Sequence, residues 1–133
     1  VRSNFLIHSM FKPSSHEQLY REIEQALKGK IVPKSFLEAL DNKKYALALR
    51  IAAAMGSLSI VRLLLKYKEV LIIDVNQQSS NKKTALDWIR TIDLEAKQID
   101  IETQKSIEKL LIENGAISGI SVPDLQDLIT LNP

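Results

Sequence analysis

The sequence predicts an all-α domain, on three observations. Leucine, isoleucine and alanine are spread along all 133 residues of a composition that is 45% hydrophobic and 26% charged, which suits a packed core and excludes disorder as the main state. Only four glycines and four prolines are present, too few for the tight hairpins of an all-β sandwich. The abundant Ala, Leu, Lys, Glu and Gln favour helix. A chain of this length is expected to form one structural unit, since domains cluster at roughly 100–150 residues.

Each element follows in order. After Ser14, the residues Leu19, Tyr20, Ile23, Ala26 and Leu27 recur at helical spacing, and Glu17 completes a capping-box pattern. A helix over about 15–28, stopped by Gly29, is expected. Ser35 and Glu38 repeat the capping-box spacing after Pro33, with Phe36, Leu37, Ala39 and Leu40 as the apolar stripe of a shorter helix. Residues 45–65 then read as two helices hinged at Gly56-Ser57, and the alanine-rich face of the first permits close helix contact. Arg50 and Arg62 interrupt this stretch and the hinge breaks it, which argues against a membrane span.

Composition also limits the chemistry. Zero cysteines exclude a disulfide framework, a thiolate zinc site and a cysteine nucleophile, and His8 and His16 alone are little for an imidazole site. No phosphate loop, metal-ligand cluster or nucleophile elbow is present, so no catalytic, cofactor or metal residue is assigned and the chain is expected to be no enzyme by itself. The net charge of +2 hides an asymmetry: residues 1–66 carry +6 and residues 67–133 carry −4. The molecule is expected to be electrostatically polar. With Val1 in place of Met and an abrupt Asn132-Pro133 end, it reads as one piece of a larger protein.

Two segments repeat. Asn42-Lys43-Lys44-Tyr45-Ala46-Leu47 recurs as Asn81-Lys82-Lys83-Thr84-Ala85-Leu86, and Ile60-Val61-Arg62-Leu63-Leu64-Leu65 as Ile107-Glu108-Lys109-Leu110-Leu111-Ile112, at offsets of 39 and 47 residues. Leu49, Ile51, Ala52, Ala53, Gly56, Ile60, Val61, Leu63, Leu64 and Leu65, then Asp74-Val75-Asn76, Thr84-Ala85-Leu86-Asp87 and Glu113-Asn114-Gly115-Ala116, follow the order and spacing of ankyrin repeats. The chain resembles that family over about residues 44–118. The resemblance implies stacked helix pairs, an α-solenoid in which 1–42 is an N-terminal helical cap, 43–118 two divergent repeats and 119–133, with SVPDLQDLITL, a C-terminal cap helix. Leu47 stands where the family has Thr, and Lys82 where the finger has Gly. The start of the first repeat aligns at Tyr45 through the Asn-Lys-Lys match and at Leu47 when counted from Gly56. About four extra residues after Leu65 are expected to extend the second helix through Tyr67 and Val70. Ten more between Thr84 and Ile107, including helix-favouring Asp93 to Gln98, are read as a lengthened helix pair.

The resemblance implies a protein-interaction module with no cofactor, cytoplasmic in place. The alternative is an accessory or targeting domain of a larger enzyme, such as a bacterial effector delivered into a host cell. The candidate partner-binding residues are Lys43, Lys44, Lys82 and Lys83 with the polar finger Gln77, Gln78, Ser79 and Ser80. They read either as solvated surface or as a basic ridge for an acidic partner segment. Nucleic acid is disfavoured by the small net charge and the lack of interleaved aromatics. Trp88 is expected in the core, His8 and His16 on the surface, and Asp93, Glu95, Asp100 and Glu102 on a solvated acidic face.

Overall fold

A computed structural model describes residues 14–119, and among these it contains seven helices and no strand. Helix α1 (Ser15–Ala26) begins where Ser14 Oγ accepts the Glu17 amide at 3.2 Å, and buries Leu19 and Ile23, one turn apart on one face. It ends two residues before the expected Lys28, and Gly29 turns the chain at φ +77°. Helix α2 (Lys34–Asp41) buries Phe36, Ala39 and Leu40. Its N-cap is Pro33 without a side-chain cap, so the Ser35–Glu38 capping box does not form. Ser35 lies inside the first turn, where a hydroxyl cannot take the half-extended N-cap geometry.

Helices α3 (Tyr45–Met55) and α4 (Leu58–Lys66) meet at Gly56, which stands at φ +70°. The Gly56 amide donates to Ala53 O and the Ser57 amide to Ala52 O, at 3.0 and 3.1 Å, the paired bonds of a Schellman cap. The expected extension of α4 does not occur. Tyr67 caps the helix, and residues 67–72 form turns that close when Ile72 adopts φ +53° and Ile73 donates back to Lys68 O. Helix α5 (Ala85–Thr91) follows the finger. The surplus before Ile107 forms a separate one-turn helix, α6 (Leu94–Lys97), and an early start for α7 (Ile101–Glu113). Asp93 and Asp100 accept the Ala96 and Thr103 amides as the N-caps of α6 and α7, so part of the surplus stands as a helix of its own between the expected pair.

Contacts between helices form a ladder. Along one side α2 packs on α3 and α3 on α5; along the other α1 packs on α4 and α4 on α7; α3 with α4 and α5 with α7 make the rungs. The core lies between the rows, where Leu49, Ala52, Ile60, Leu64, Ile89 and Ile107 are fully buried. Small alanines on α3 let the rows approach. No helix among the described residues is long and apolar enough to cross a membrane. The segment expected as a C-terminal cap helix, together with His8, lies outside the described residues.

Candidate partner-binding cleft

The finger between α4 and α5 is built from local turns and one long-range tie. Asp74 Oδ1 accepts the Asn76 amide at 2.9 Å, a local turn of the kind Asp favours. Asn76 then reaches across: its Nδ2 donates to Gly115 O at 3.0 Å, and its Oδ1 accepts the Ile117 amide at 2.8 Å. The tip closes through Ser79 N donating to Lys83 O and Lys82 N donating to Ser79 O, both at 2.9 Å. Lys82 sits at φ +66°, a conformation that suits glycine and is uncommon for lysine.

The finger leads into a buried polar knot. Thr84 is the N-cap of α5 and forms a capping box with Asp87. Asp87 is 2% exposed. It accepts hydrogen bonds from the Thr84 amide at 3.0 Å, from the Gly119 amide at 2.8 Å and from Ser118 Oγ. Burial pushes its carboxyl upward, but the bonds from Ser118, Thr84 and Gly119 outweigh that and hold it below the usual carboxylate range. Thr84 Oγ1 also lies 2.9 Å from Ile117 O. Residues 115–119 are thereby laced to the finger and to the start of α5. A Cβ at Gly119 would stand 2.5 Å from Lys82 O, so the approach is close.

Beside the finger lies a cleft of about 600 Å³ lined by Lys43, Lys44, Leu47, Arg50, the 71–74 turn and Gln77. Helix α3 starts at Tyr45 with Lys44 as N-cap and no side-chain cap, so neither Tyr45 nor Leu47 plays the part that Thr84 plays for α5. Lys43, at φ +58°, and Lys44 precede the helix and are exposed. Of the candidate residues, Lys43, Lys44 and Gln77 therefore meet at one cleft. Gln78, Ser79, Ser80 and Lys82 belong to the finger tip outside its lining. Lys83 turns onto α5, where its ammonium lies 4.7 Å from the Trp88 ring centroid and donates to Thr91 Oγ1 at 3.0 Å.

A second depression of about 210 Å³ adjoins the first, lined by Pro33, Leu47, Arg50, Ile51, Ala54, Met55, Trp88 and Lys97. Trp88 is half-buried in this wall and not in the core. Sequence reasoning placed it inside because a lone tryptophan usually packs; its ring instead lines this depression and lies under the Lys83 ammonium. His16 also departs from the surface reading. It is half-buried, with Nδ1 2.6 Å from Tyr45 Oη and its ring against Tyr20 and Tyr45, so it ties α1 to α3. Asp93, Glu95, Asp100 and Glu102 are exposed, with two of them spent as helix caps.

The residue that sequence reasoning passed over is Arg50, noted there only as an interruption of an apolar run. It is 9% exposed and its Nη1 donates to Gln77 O at 3.0 Å and to Gln77 Oε1 at 3.1 Å. It is the sole charged residue of YALALRIAAAM, and that isolation was the available signal. Compared with known proteins, the chain matches no family model, no curated protein and no solved structure.

Proposed function

We propose that this chain is a protein-interaction module, a divergent ankyrin-type array within a larger protein and without chemistry of its own. The cleft beside the finger carries the reading. It joins Lys43, Lys44 and Arg50 to the apolar Leu47 and Leu71, the mixture of charge and apolar surface that holds a protein partner while fixing its register. The ladder of helix contacts supports the array reading, because each row continues from one helix pair to the next. So does the finger: Asn76 bonds the segment after α7, which suits repeats that contact only their neighbours. Lys43, Lys44 and Arg50 outnumber Asp74 in the lining, so acidic partners would be steered toward the cleft.

The test is a pull-down with the 133-residue chain, run beside a variant with Gln77, Gln78, Ser79 and Ser80 changed to alanine and checked for helicity. The reading expects partners captured by the native chain and depleted on the variant. Identical capture by both, or none by either, contradicts it.

A further inference from the structure

Arg50 stands where the two depressions meet, since it and Leu47 line both. A guanidinium this buried is costly to leave without a counter-ion, and burial lowers its pKa from the ordinary arginine value. Both acceptors on Nη1 are neutral atoms of Gln77. Among the described residues no carboxylate lies within ion-pair distance of it. No fully buried polar side-chain atom among the described residues lacks a hydrogen-bond partner, so the remaining Nε and Nη2 donors are not completely sealed, although Arg50 as a whole is only 9% exposed. That edge is the one that takes both oxygens of a carboxylate in a fork.

Charge and apolar surface are laid side by side around it. Lys43 and Lys44 line the larger cleft with Asp74 as its single acid. Ile51, Met55 and Trp88 wall the smaller, apolar slot, with Lys97 among its lining. Lys43 and Ile72 both line the larger cleft in the left-handed region. Ile72 is β-branched and 89% exposed, so no burial offsets its strain. The turn is closed by the Ile72 amide donating to Glu69 O and the Ile73 amide to Lys68 O, which leaves the Ile72 side chain exposed on the cleft wall.

The geometry points to an extended segment of a partner protein that carries a carboxylate beside a bulky apolar side chain. The carboxylate docks on the Nε–Nη2 edge of Arg50, the apolar side chain fills the slot against Trp88, and further acidic residues run past Lys43 and Lys44. This rests on the interaction-module reading and specifies its partner. A free inorganic anion would use the charges and leave the slot empty. Nucleic acid would want several stacking aromatics, and the slot offers only Trp88, already under the Lys83 ammonium.

The test selects a random-peptide display library on the full chain and reads binding through Trp88, the single tryptophan. Selected peptides should be enriched in Asp or Glu next to Leu, Ile, Phe or Trp, and a synthetic copy should shift the tryptophan emission. Arg50→Gln should weaken it about tenfold or more, roughly the 1.4 kcal/mol of one charged hydrogen-bonded contact. Ile72→Gly should weaken it while raising the urea midpoint, an opposition that a purely structural role would not produce. Lys105→Glu, on exposed α7 surface outside both depressions, should leave binding unchanged. If Arg50→Gln loses helicity, Lys44→Glu on the exposed rim takes its place with the same expected loss. Peptides lacking carboxylates, or binding indifferent to the Arg50 and Lys44 changes, overturn the inference. Self-association that buries Trp88 and is dissolved by the same changes also overturns it, by giving the face to a second copy. A pull-down partner gripped by the finger and indifferent to Arg50 sinks this inference and leaves the interaction-module reading standing.

Discussion

Asp87 holds a charge in a nearly sealed place because three neighbours donate to it. Its folded pKa lies below the ordinary value, so the stabilisation is complete above the ordinary carboxylate range. It is lost as pH falls through the folded pKa. Asp87→Asn should cost about 1–3 kcal/mol at neutral pH, since an amide nitrogen would then face donors. The variant should also show a flatter acid limb in urea midpoints measured against pH; an unchanged acid limb would contradict the role. Lys82 offers the opposite case. Its left-handed backbone costs roughly 1–2 kcal/mol, and glycine would return part of that as chain entropy. Lys82→Gly should therefore raise stability by up to about 1 kcal/mol, read from the urea midpoint. The sequence marked Lys82 only as a departure from a glycine position, and nothing in it said that the backbone would bend there regardless. Asp87 was legible as part of a helix start, but its bonds to Ser118 and Gly119 come from a segment about thirty residues away, which local pattern cannot supply.

At the scale of elements, one device ends five segments. At Lys43, Gly56, Ile72, Gln98 and Gly115 a left-handed residue donates three residues back, and the next residue donates to the carbonyl five before it. Glycine supplies only two of the five. The Gly56 stop was therefore readable from sequence and the Ile72 stop was not; α4 was expected to run through Val70 because the surplus after Leu65 is close to one helical turn, whereas the helix ends at Lys66. Likewise Gln98 ends α6 as a separate turn, where the helix-favouring residues 93–98 were read as lengthening the helix pair. The early signals that did work were the Ser14 cap and the apolar spacing of α1, α3 and α4, which are physical and local, and the Thr84 helix start, which the family resemblance implied. Gly56 has a second duty, because a Cβ there would lie 2.4 Å from Ile99 Cδ1. Gly56→Ala should destabilise by at least about 1 kcal/mol from backbone strain alone. A companion Ile99→Ala should recover some of the excess, as a double-mutant cycle in urea would reveal.

For the whole molecule, stability depends on the two rows sharing one core. Leu64 is fully buried on α4, the helix that touches α1, α3 and α7. Leu64→Ala should cost about 2–5 kcal/mol in urea unfolding, and no loss would remove α4 from the centre of the fold. The all-α class was readable because helix-forming residues dominate throughout, and the lysine pair before α3 was readable as part of a repeat. The cleft was not, because it joins Lys43 and Arg50 to Gln77 across the turn at 71–74, and Arg50 stood in the sequence only as an interruption of an apolar run. Lys83 also leaves the predicted ridge for Trp88, so a surface test should spare it. Whether this face binds a partner is decided by the association rate and affinity of a pulled-down partner for Lys43→Glu/Lys44→Glu/Lys82→Glu, compared with the native chain at low and high salt after both prove folded. A partner-binding cationic face predicts a slower association and about tenfold weaker binding at low salt, with the difference shrinking as salt rises. Equal rates and affinities at both salt concentrations would contradict it and reduce the lysines to solvated surface.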